Sequence, residues 1–422
     1  MKSIEKIVIQ VIFFLTLISA NAQETNSFQE IFDLVENTNY FKAKELFELN
    51  KLRLTNVQQL YVEAALNNAF NQLEESEKAI DEALNRKERI TDSLFYKLAE
   101  IRCDNAIKLY QYKEAKETIL AILRDYKQFL TAEDVLDYEN SLKIWSALEN
   151  VKPQTVEIAG RTEIQLVKDK AGLNNLKVSG KKKSFHFIFD TGANLSLTTM
   201  DIAKQLKMKV IPVEIDVMTI TGTSVVANLA VCEQLTIGNL SIYNAIFLVL
   251  PDNSLTFEEV DYQIYGIIGF PIMEALNEIQ LTKDGRMIIP AIETTWNESS
   301  NMAMNGLTPL ISINNKHFSF DTGAVKTMLY SAYYLENKEE IEQNYSSAKI
   351  SFGGANGMAE FDGFLIDYTF DIGGKEVHLH NVDLLKVKIK ENESCYGNIG
   401  QDLIQEFDTM IMNFNRMFIK FE

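Results

Sequence analysis

Cysteine, histidine and positive charge are all scarce in this sequence. The chain of 422 residues has three Cys and four His, and its net charge is −18. An odd number of cysteines, here Cys103, Cys232 and Cys395, gives no disulfide framework, and a chain of this size builds stable cores without one. The acidic balance argues against nucleic-acid binding, which needs a basic footprint, and against an anionic membrane surface as a partner.

Metal-binding patterns are lacking as well. His378 and His380 are two residues apart and would share one face of a strand. No third ligand is evident near them, and the three cysteines are too far apart in sequence for a zinc knuckle. We therefore expect neither a metal nor a cofactor, and we interpret the two histidines as exposed strand residues.

A long apolar run occurs only at the N-terminus. Lys2 and Lys6 accompany an apolar segment from Ile7 to Ala20, and Ala20-Asn21-Ala22 fits a small-residue cleavage site. The segment is short for a bilayer span of about 20 residues, which favours a cleaved signal peptide at residues 1–22 over a membrane anchor. We expect an exported, soluble protein, periplasmic or extracellular, with no membrane span after signal removal.

Residues 27–150 contain no glycine and no proline. This stretch is rich in Ala, Leu, Glu and Lys, and its apolar residues recur at helical spacing. Pro153 ends the pattern, so we expect a helical domain at residues 23–150. About seven helices are predicted, with breaks near residues 37–39, 54–56, 71–72, 86–90, 110–111 and 127–130.

The helical region resembles tetratricopeptide-type (TPR-like) helix hairpins. The segments from Tyr40 to Leu46 and from Tyr112 to Glu117 share a turn-then-Ala pattern, and Asn71 opens a third such helix. Stacked helix pairs would make a concave surface for a protein partner or for the second half of this chain. Two other interpretations fit equally well: an ordinary helical bundle packed on the neighbouring domain, and a pro-segment that covers a cleft until it is removed.

One short motif occurs twice in the β-rich remainder of the chain. Residues 187–193 are Phe-Ile-Phe-Asp-Thr-Gly-Ala, and residues 318–324 are Phe-Ser-Phe-Asp-Thr-Gly-Ala. Each copy places an Asp at a turn directly after an apolar strand, where a rigid element can hold a catalytic carboxylate. A second motif at 265–269 recurs at 396–400, and each copy ends 79 residues after its Asp. A repeat of this length predicts two similar lobes, at residues 151–295 and 296–422.

Each lobe also has a Gly-containing hairpin at the same distance, 32 residues, from its Asp. In the first lobe the turn lies at Thr221, Gly222 and Thr223, and in the second lobe it lies at Gly353 and Gly354. The matching offset predicts a pair of flaps. The polar stretch from Thr294 to Asn305 is expected to be a loop between the lobes.

These motifs resemble those of the aspartic peptidases over about residues 155–422. Two lobes on one chain are pepsin-like, and the sequence Asp-Thr-Gly-Ala is retropepsin-like. The resemblance implies an all-β bilobal acid-protease fold after the helical domain, with Asp190 and Asp321 as the catalytic pair. It also implies an aspartic endopeptidase that binds a peptide or protein substrate in extended form, as an added strand beneath the flaps.

The resemblance further assigns roles to the neighbours of each Asp. Thr191 and Thr322 would hydrogen-bond across the lobes, and Gly192 and Gly323 would let backbone amides approach the carboxylates. The residues implied to pack beneath the two loops are Ile267, Ile268, Gly269, Ile399 and Gly400.

This sequence departs from the family pattern at three places. Ala193 and Ala324 stand where pepsin-like enzymes usually have a hydroxyl that stabilises the charged carboxylate, so we expect a less acidic dyad and a weakly acidic to near-neutral optimum. Asn398 is polar where the pattern has an apolar residue. Neither predicted flap has an obvious Tyr.

Paired carboxylates of this kind share one proton. The charged Asp would act as general base on a water molecule, and the protonated Asp would polarise the substrate carbonyl. A non-catalytic peptide- or protein-binding protein on the same fold is the alternative from a different class. A third interpretation is a narrow processing enzyme that acts on one partner delivered by the helices. The two intact motifs favour the enzyme.

Overall fold

The computed structural model describes residues 27–86, 90–218, 224–354, 357–389 and 393–422. A helical region comes first and a β-rich region follows, as the sequence predicts. The predicted signal peptide at residues 1–22 lies outside the described residues. Within these ranges, no helix is long and apolar enough to cross a membrane.

Seven α-helices form the described part of the N-terminal region, in agreement with the predicted number. They are α1 (27–36), α2 (Tyr40–Asn50), α3 (Asn56–Ala69), α4 (Leu73–Asn85), α5 (Asp92–Lys108), α6 (Tyr112–Asp125) and α7 (Ala132–Leu148). Short 3-10 turns follow α2 and α6 at Lys51–Arg53 and Lys127–Phe129.

Local capping chemistry explains several of the helix boundaries. Thr55 caps α3 and Thr131 caps α7, and each pairs with the side chain three residues later in a capping box. Asn71 and Tyr110 adopt positive φ angles directly before α4 and α6, which reverses the chain between consecutive helices.

The first lobe contains fourteen described strands and two short helices. The strands are β1 (Thr155–Ile158), β2 (Thr162–Gln165), β3 (Val167–Lys168), β4 (Asn174–Ser179), β5 (Ser184–Phe189), β6 (Ser196–Thr199), β7 (Lys209–Met218), β8 (Ser224–Ile237), β9 (Leu240–Leu250), β10 (Thr256–Phe257), β11 (Tyr262–Gln263), β12 (Gly266–Ile268), β13 (Glu278–Thr282) and β14 (Arg286–Ile289). The helices are α8 (Met200–Gln205) and α9 (Phe270–Glu274), with 3-10 turns at Asp252–Leu255 and Glu258–Val260.

The second lobe contains ten described strands and three helices. The strands are β15 (Met302–Asn305), β16 (Thr308–Ile313), β17 (Lys316–Phe320), β18 (Met328–Leu329), β19 (Ser347–Gly354), β20 (Gly357–Ile372), β21 (Lys375–Leu385), β22 (Gly397–Ile399), β23 (Thr409–Asn413) and β24 (Phe418–Phe421). The helices are α10 (Ser331–Glu336), α11 (Lys338–Asn344) and α12 (Gln401–Ile404).

The two lobes repeat one strand arrangement. In the first, β12 pairs in parallel with β5 and antiparallel with β6, and β6 pairs in parallel with β9. In the second, β22 pairs in parallel with β17 and antiparallel with β18, and β18 pairs in parallel with β21. The strand that precedes each Asp therefore lies beside the strand of the second repeated motif.

A five-stranded sheet joins the lobes, with strand order β2-β14-β13-β23-β24. Its central contact pairs β13 of the first lobe with β23 of the second, from Glu278 opposite Asn413 to Thr282 opposite Thr409. Because backbone hydrogen bonds cross the boundary here, the two lobes share one framework.

The expectation of a loop from Thr294 to Asn305 is wrong at its end. Met302–Asn305 is strand β15, paired antiparallel with β16. Met302, Ala303 and Met304 are all buried, so the strand fills part of the second lobe's core. A run of three apolar residues gives too short a pattern to identify a strand from sequence.

The helical region shares a hydrophobic core with the first lobe. Tyr112, Ile119 and Trp145 from the helices pack in one cluster with Ile215 of β7 and Leu229 of β8. The helices also reach the rest of the β region: Tyr110 Oη donates to the carbonyl of Pro271 at 3.0 Å, and the Thr38 hydroxyl lies 2.7 Å from that of Ser394. The helical region thus contacts both lobes.

Candidate active site

Each repeated Asp lies directly beyond the end of a buried strand. Phe189 and Phe320, the last residues of β5 and β17, are both buried. The backbone N–H of Asp190 donates to the carbonyl of Ile268 at 3.1 Å, and that of Asp321 donates to the carbonyl of Ile399 at 3.0 Å. Each carboxylate is therefore fixed by the strand before it and by the neighbouring parallel strand.

Thr191 and Thr322 lock the two loops together, in the arrangement that the resemblance implies. The Thr191 N–H donates to Thr322 Oγ1 at 3.1 Å, and the Thr322 N–H donates to Thr191 Oγ1 at 2.9 Å. Each hydroxyl then donates across the lobes, to the carbonyl of Phe320 at 2.7 Å and to that of Phe189 at 2.9 Å. Both threonines are buried, so water does not compete for these four hydrogen bonds.

Gly192 and Gly323 bring the backbone against the carboxylates. The Gly192 N–H donates to Asp190 Oδ1 and the Gly323 N–H donates to Asp321 Oδ1, both at 2.8 Å. A Cβ added to Gly192 would lie 2.7 Å from Cγ of Asp321, and one added to Gly323 would collide with the carboxyl group of Asp190. Each glycine thus packs against the opposite Asp, which requires a residue without a side chain.

The two carboxyl groups interact directly. Both are half-buried, and each lies against the glycine of the opposite loop. Burial, then the negative charge of Asp321 and hydrogen bonding to it, raise the pKa of Asp190 well above its usual range, despite the lowering effect of the backbone amides of Gly192 and Ala193. Two carboxyl groups this close lose their protons in two separate steps.

The residues of the second motif support the loops from below. The N–H of Phe270 donates to the carbonyl of Ala193, and that of Gln401 donates to the carbonyl of Ala324, both at 2.9 Å. A Cβ on Gly269 would lie 2.6 Å from the Ala193 oxygen, and one on Gly400 would lie 2.5 Å from the Lys326 carbonyl carbon. The close contact explains the glycine in each copy.

The other residues of this motif occupy matching positions. Ile268 and Ile399 are buried, and Ile267 lies beside Ile188 in parallel register. The structure therefore brings together all of the residues predicted for the dyad, its two neighbouring loops and the packing beneath them.

Several polar residues that support the site were missed by the sequence analysis. Ser196 Oγ accepts from the Gly269 N–H at 3.0 Å, and Thr327 Oγ1 accepts from the Gly400 N–H at 3.1 Å. Buried Gln401 donates to the carbonyl of Thr322 at 2.8 Å. Ser196 and Thr327 are 131 positions apart, like the two Asp residues, so an alignment of the two halves could have found them.

Asn398 lies at the dyad itself. Its Nδ2 donates to Asp321 Oδ2 at 3.3 Å, and its Oδ1 accepts from Ser319 Oγ at 2.6 Å. Asn398 departs from the apolar pattern of the sequence, and in the structure its side chain has two polar partners, Asp321 and Ser319.

Of the two predicted flaps, the structure describes the turn residues of the second lobe and not those of the first. Gly353 and Gly354 end strand β19, where Gly353 is opposite Met358 and Gly354 is opposite Gly357 of β20, so they lie at the end of a hairpin. Thr221, Gly222 and Thr223 lie outside the described residues. The strands on either side of them, β7 and β8, pair up to Met218 opposite Ser224.

Neither His378 nor His380 is part of a metal-binding cluster in the described part of the chain. His378 Nδ1 lies 2.8 Å from the Thr369 hydroxyl, and His380 Nδ1 lies 3.0 Å from Asp367 Oδ1. Both contacts are between exposed neighbours on β20 and β21.

One comparison with known proteins fits this geometry. A family model described as aspartyl protease matches residues 175–272, which include Asp190 and the motif from Ile267 to Gly269. A sequence search of curated proteins found no match. Among solved structures, basic 7S globulin from soybean aligns with 10% identity and a TM-score of 0.40, over 62% of this chain and 94% of that one.

Proposed function

We propose that this protein is an exported aspartic endopeptidase, in which Asp190 and Asp321 act together on a bound water molecule. The observation that carries the proposal is that equivalent loops of two lobes, bound to each other through Thr191 and Thr322, bring two carboxyl groups together. The aspartyl protease match over residues 175–272 supports the reaction class.

The reaction follows from the shared proton. The ionised Asp takes a proton from water while the resulting hydroxide attacks the scissile carbonyl carbon, and the protonated Asp gives its proton to the carbonyl oxygen. The second step breaks the C–N bond: one carboxyl group protonates the amine, and the other takes a proton from the tetrahedral intermediate. Both carboxyl groups then return to their starting states, so neither is consumed.

The hairpins provide a means of holding the substrate. The β19–β20 hairpin and the strands β7 and β8 are the elements predicted to cover an extended peptide. Such a peptide would bind by adding main-chain hydrogen bonds to exposed strand edges, and closure over it would exclude water other than the reacting molecule.

We propose that the helical region is a scaffold for the β region rather than a removable pro-segment. The shared core with Ile215 and Leu229 supports this proposal, because removal of the helices would expose that apolar surface. A chain without residues 27–150 is therefore expected to aggregate. A soluble, active product of that deletion would show instead that the region can be removed.

Cleavage of a mixture of denatured proteins across pH 3–8 tests the proposed function. Wild-type protein is expected to cleave with a weakly acidic to near-neutral optimum, and Asp190→Asn is expected to be inactive. Asp371→Asn, at an exposed position on β20, serves as the matched control and should keep full activity. Absence of cleavage by the wild type, or equal cleavage by Asp190→Asn, would contradict the proposal.

A further inference from the structure

The two lobes differ at one pair of positions beneath the dyad. In the first lobe, Ile188 of β5 lies beside Ile267 of β12 in parallel register. In the second lobe, the equivalent positions of β17 and β22 are Ser319 and Asn398, in the same register. An apolar pair in one copy is therefore a polar pair in the other, inside a frame that otherwise repeats.

The polar pair forms a hydrogen-bonded chain that ends at the dyad. Ser319 Oγ donates to Asn398 Oδ1 at 2.6 Å, and Asn398 Nδ2 donates to Asp321 Oδ2 at 3.3 Å. An amide presents its N–H to a carboxylate because its oxygen would be repelled. The bond from Ser319 to Oδ1 favours the same orientation.

The glycine N–H donors of the two loops are balanced, and the backbone amide of Ala193 also lowers the pKa of Asp190. Gly192 and Gly323 each donate a backbone N–H at 2.8 Å to the Oδ1 atom of their own Asp. Oδ2 of Asp321 has the Asn398 amide in addition. In the part of the chain that the structure describes, the only side chain that hydrogen-bonds Asp190 is Asp321 itself.

We propose that Asn398, oriented by Ser319, places the negative charge of the dyad on Asp321. Asp321 is then the general base that takes the proton from water, and Asp190 is the acid that gives its proton to the carbonyl oxygen. The inference rests on the proposed function and adds to it which carboxyl group has which role. Asn398 acts through Asp321 and is a positioning residue.

The physical reason is that an N–H donor stabilises the ionised form of a carboxyl group and not the protonated form. Among the described residues, Asp190 on the opposite loop and Tyr330 interact electrostatically with Asp321, and Cys395 and Glu393 interact with Tyr330. None of them is a cation, so the Asn398 amide breaks the symmetry between the lobes. The raised pKa of Asp190 also favours a protonated Asp190 and a negative charge on Asp321.

The pH dependence of kcat/KM tests the assignment. In Asn398→Ile, which copies the first lobe, the acidic limb of the profile is expected to move up by about one pH unit, because ionised Asp321 loses one hydrogen bond. Asn253→Ile, at an exposed position outside the motifs, is the control and should leave the profile unchanged. An unshifted limb in an active Asn398→Ile enzyme would overturn the proposal.

A second measurement needs no activity and no folded variant of Asn398. The wild-type protein with 13C-labelled Asp carboxyl groups can be titrated by NMR, with the two signals assigned from Asp190→Asn and Asp321→Asn. Asp321 is expected to ionise at lower pH than Asp190. The reverse order would overturn the inference. Failure of the wild type to cleave any protein would contradict the proposed function alone, since the order of ionisation would still be measured.

Discussion

In each of the two threonines of the motifs, one hydroxyl group makes two hydrogen bonds to the opposite lobe. Thr322 Oγ1 accepts from the Thr191 N–H at 3.1 Å and donates to the carbonyl of Phe189 at 2.9 Å. Thr191 Oγ1 makes the equivalent pair of bonds in the other direction. Since both side chains are buried, loss of one hydroxyl leaves a donor and an acceptor that water cannot easily reach.

Thr322→Val is therefore expected to lower the free energy of unfolding by about 2 kcal/mol, because one buried N–H and one buried carbonyl lose their partner. Urea denaturation measures the change. Thr322→Ser keeps the hydroxyl and should recover most of the loss. Equal destabilisation by both substitutions would show that the methyl group, and not the hydrogen bonds, matters here.

The sequence predicted the two Asp residues and their neighbours because each belongs to a motif that occurs twice. The role of Asn398 was not predictable in that way. Its effect depends on the parallel register that places it beside Ser319 and on contact with Asp321, and neither follows from a polar residue in an apolar pattern.

At the scale of elements, helix α7 holds the outer strand of the first lobe's sheet. β7 ends the strand order of this sheet, so its outer edge pairs with no strand among the described residues. Asn140 on α7 accepts from the N–H of Asp216 at 3.3 Å and donates to its carbonyl at 3.4 Å, and Lys143 Nζ lies 3.3 Å from Asp216 Oδ2. The helix therefore covers β7 near the end of its hairpin.

Asn140→Ala is expected to increase amide hydrogen exchange in β7 roughly two- to five-fold, because two long hydrogen bonds at an exposed site contribute little stability each. Mass spectrometry of peptides from residues 209–218 provides the measurement. Asn150→Ala, at the exposed end of the helical region, is the control. No change in β7 exchange would mean that apolar contacts such as that of Ile215 hold the strand alone.

Helix number was predictable because the helical region contains no glycine or proline and polar caps mark its breaks. Thr55 and Thr131 are such caps. Strand β15 was missed because its identity comes from pairing with β16, which is a long-range property, and not from the pattern of Met302, Ala303 and Met304.

At the scale of the whole molecule, His317 lies where the helical region meets the second lobe. It is buried, and the backbone of Asn37 and Ser394 lies near its ring. Burial lowers the pKa of His317 from 6.5 to about 4. Its Nε2 has no hydrogen-bond partner among the described residues, so the ring is held in its neutral form.

Stability is accordingly expected to fall as the pH drops from about 6.5 to 4. The unfolded chain binds a proton at His317 over this interval and the folded chain does not, which favours unfolding by about 3 kcal/mol in total. In His317→Asn, which does not titrate here, this part of the pH dependence should disappear. Urea midpoints of both proteins at pH 7 and pH 4.5 test the difference, and parallel losses would contradict it.

The docking of the helical region was beyond prediction from sequence. Each helix could be predicted from its own sequence pattern. The apolar surface that the helices bury, however, packs against Leu229, Val231 and Ile246 of the β region. Those residues lie about 100 positions further along the chain, and no local pattern links them to the helices. The sequence accordingly left three interpretations of this region open.

We propose that two carboxyl groups from two lobes act as one catalytic unit. The most direct test compares kcat/KM for Asp190→Asn, Asp321→Asn and the double variant on one peptide substrate, with folding checked by circular dichroism. If the dyad acts as a unit, each single substitution removes as much activity as both together. Retained activity in either single variant, or losses that add in the double variant, would contradict the account.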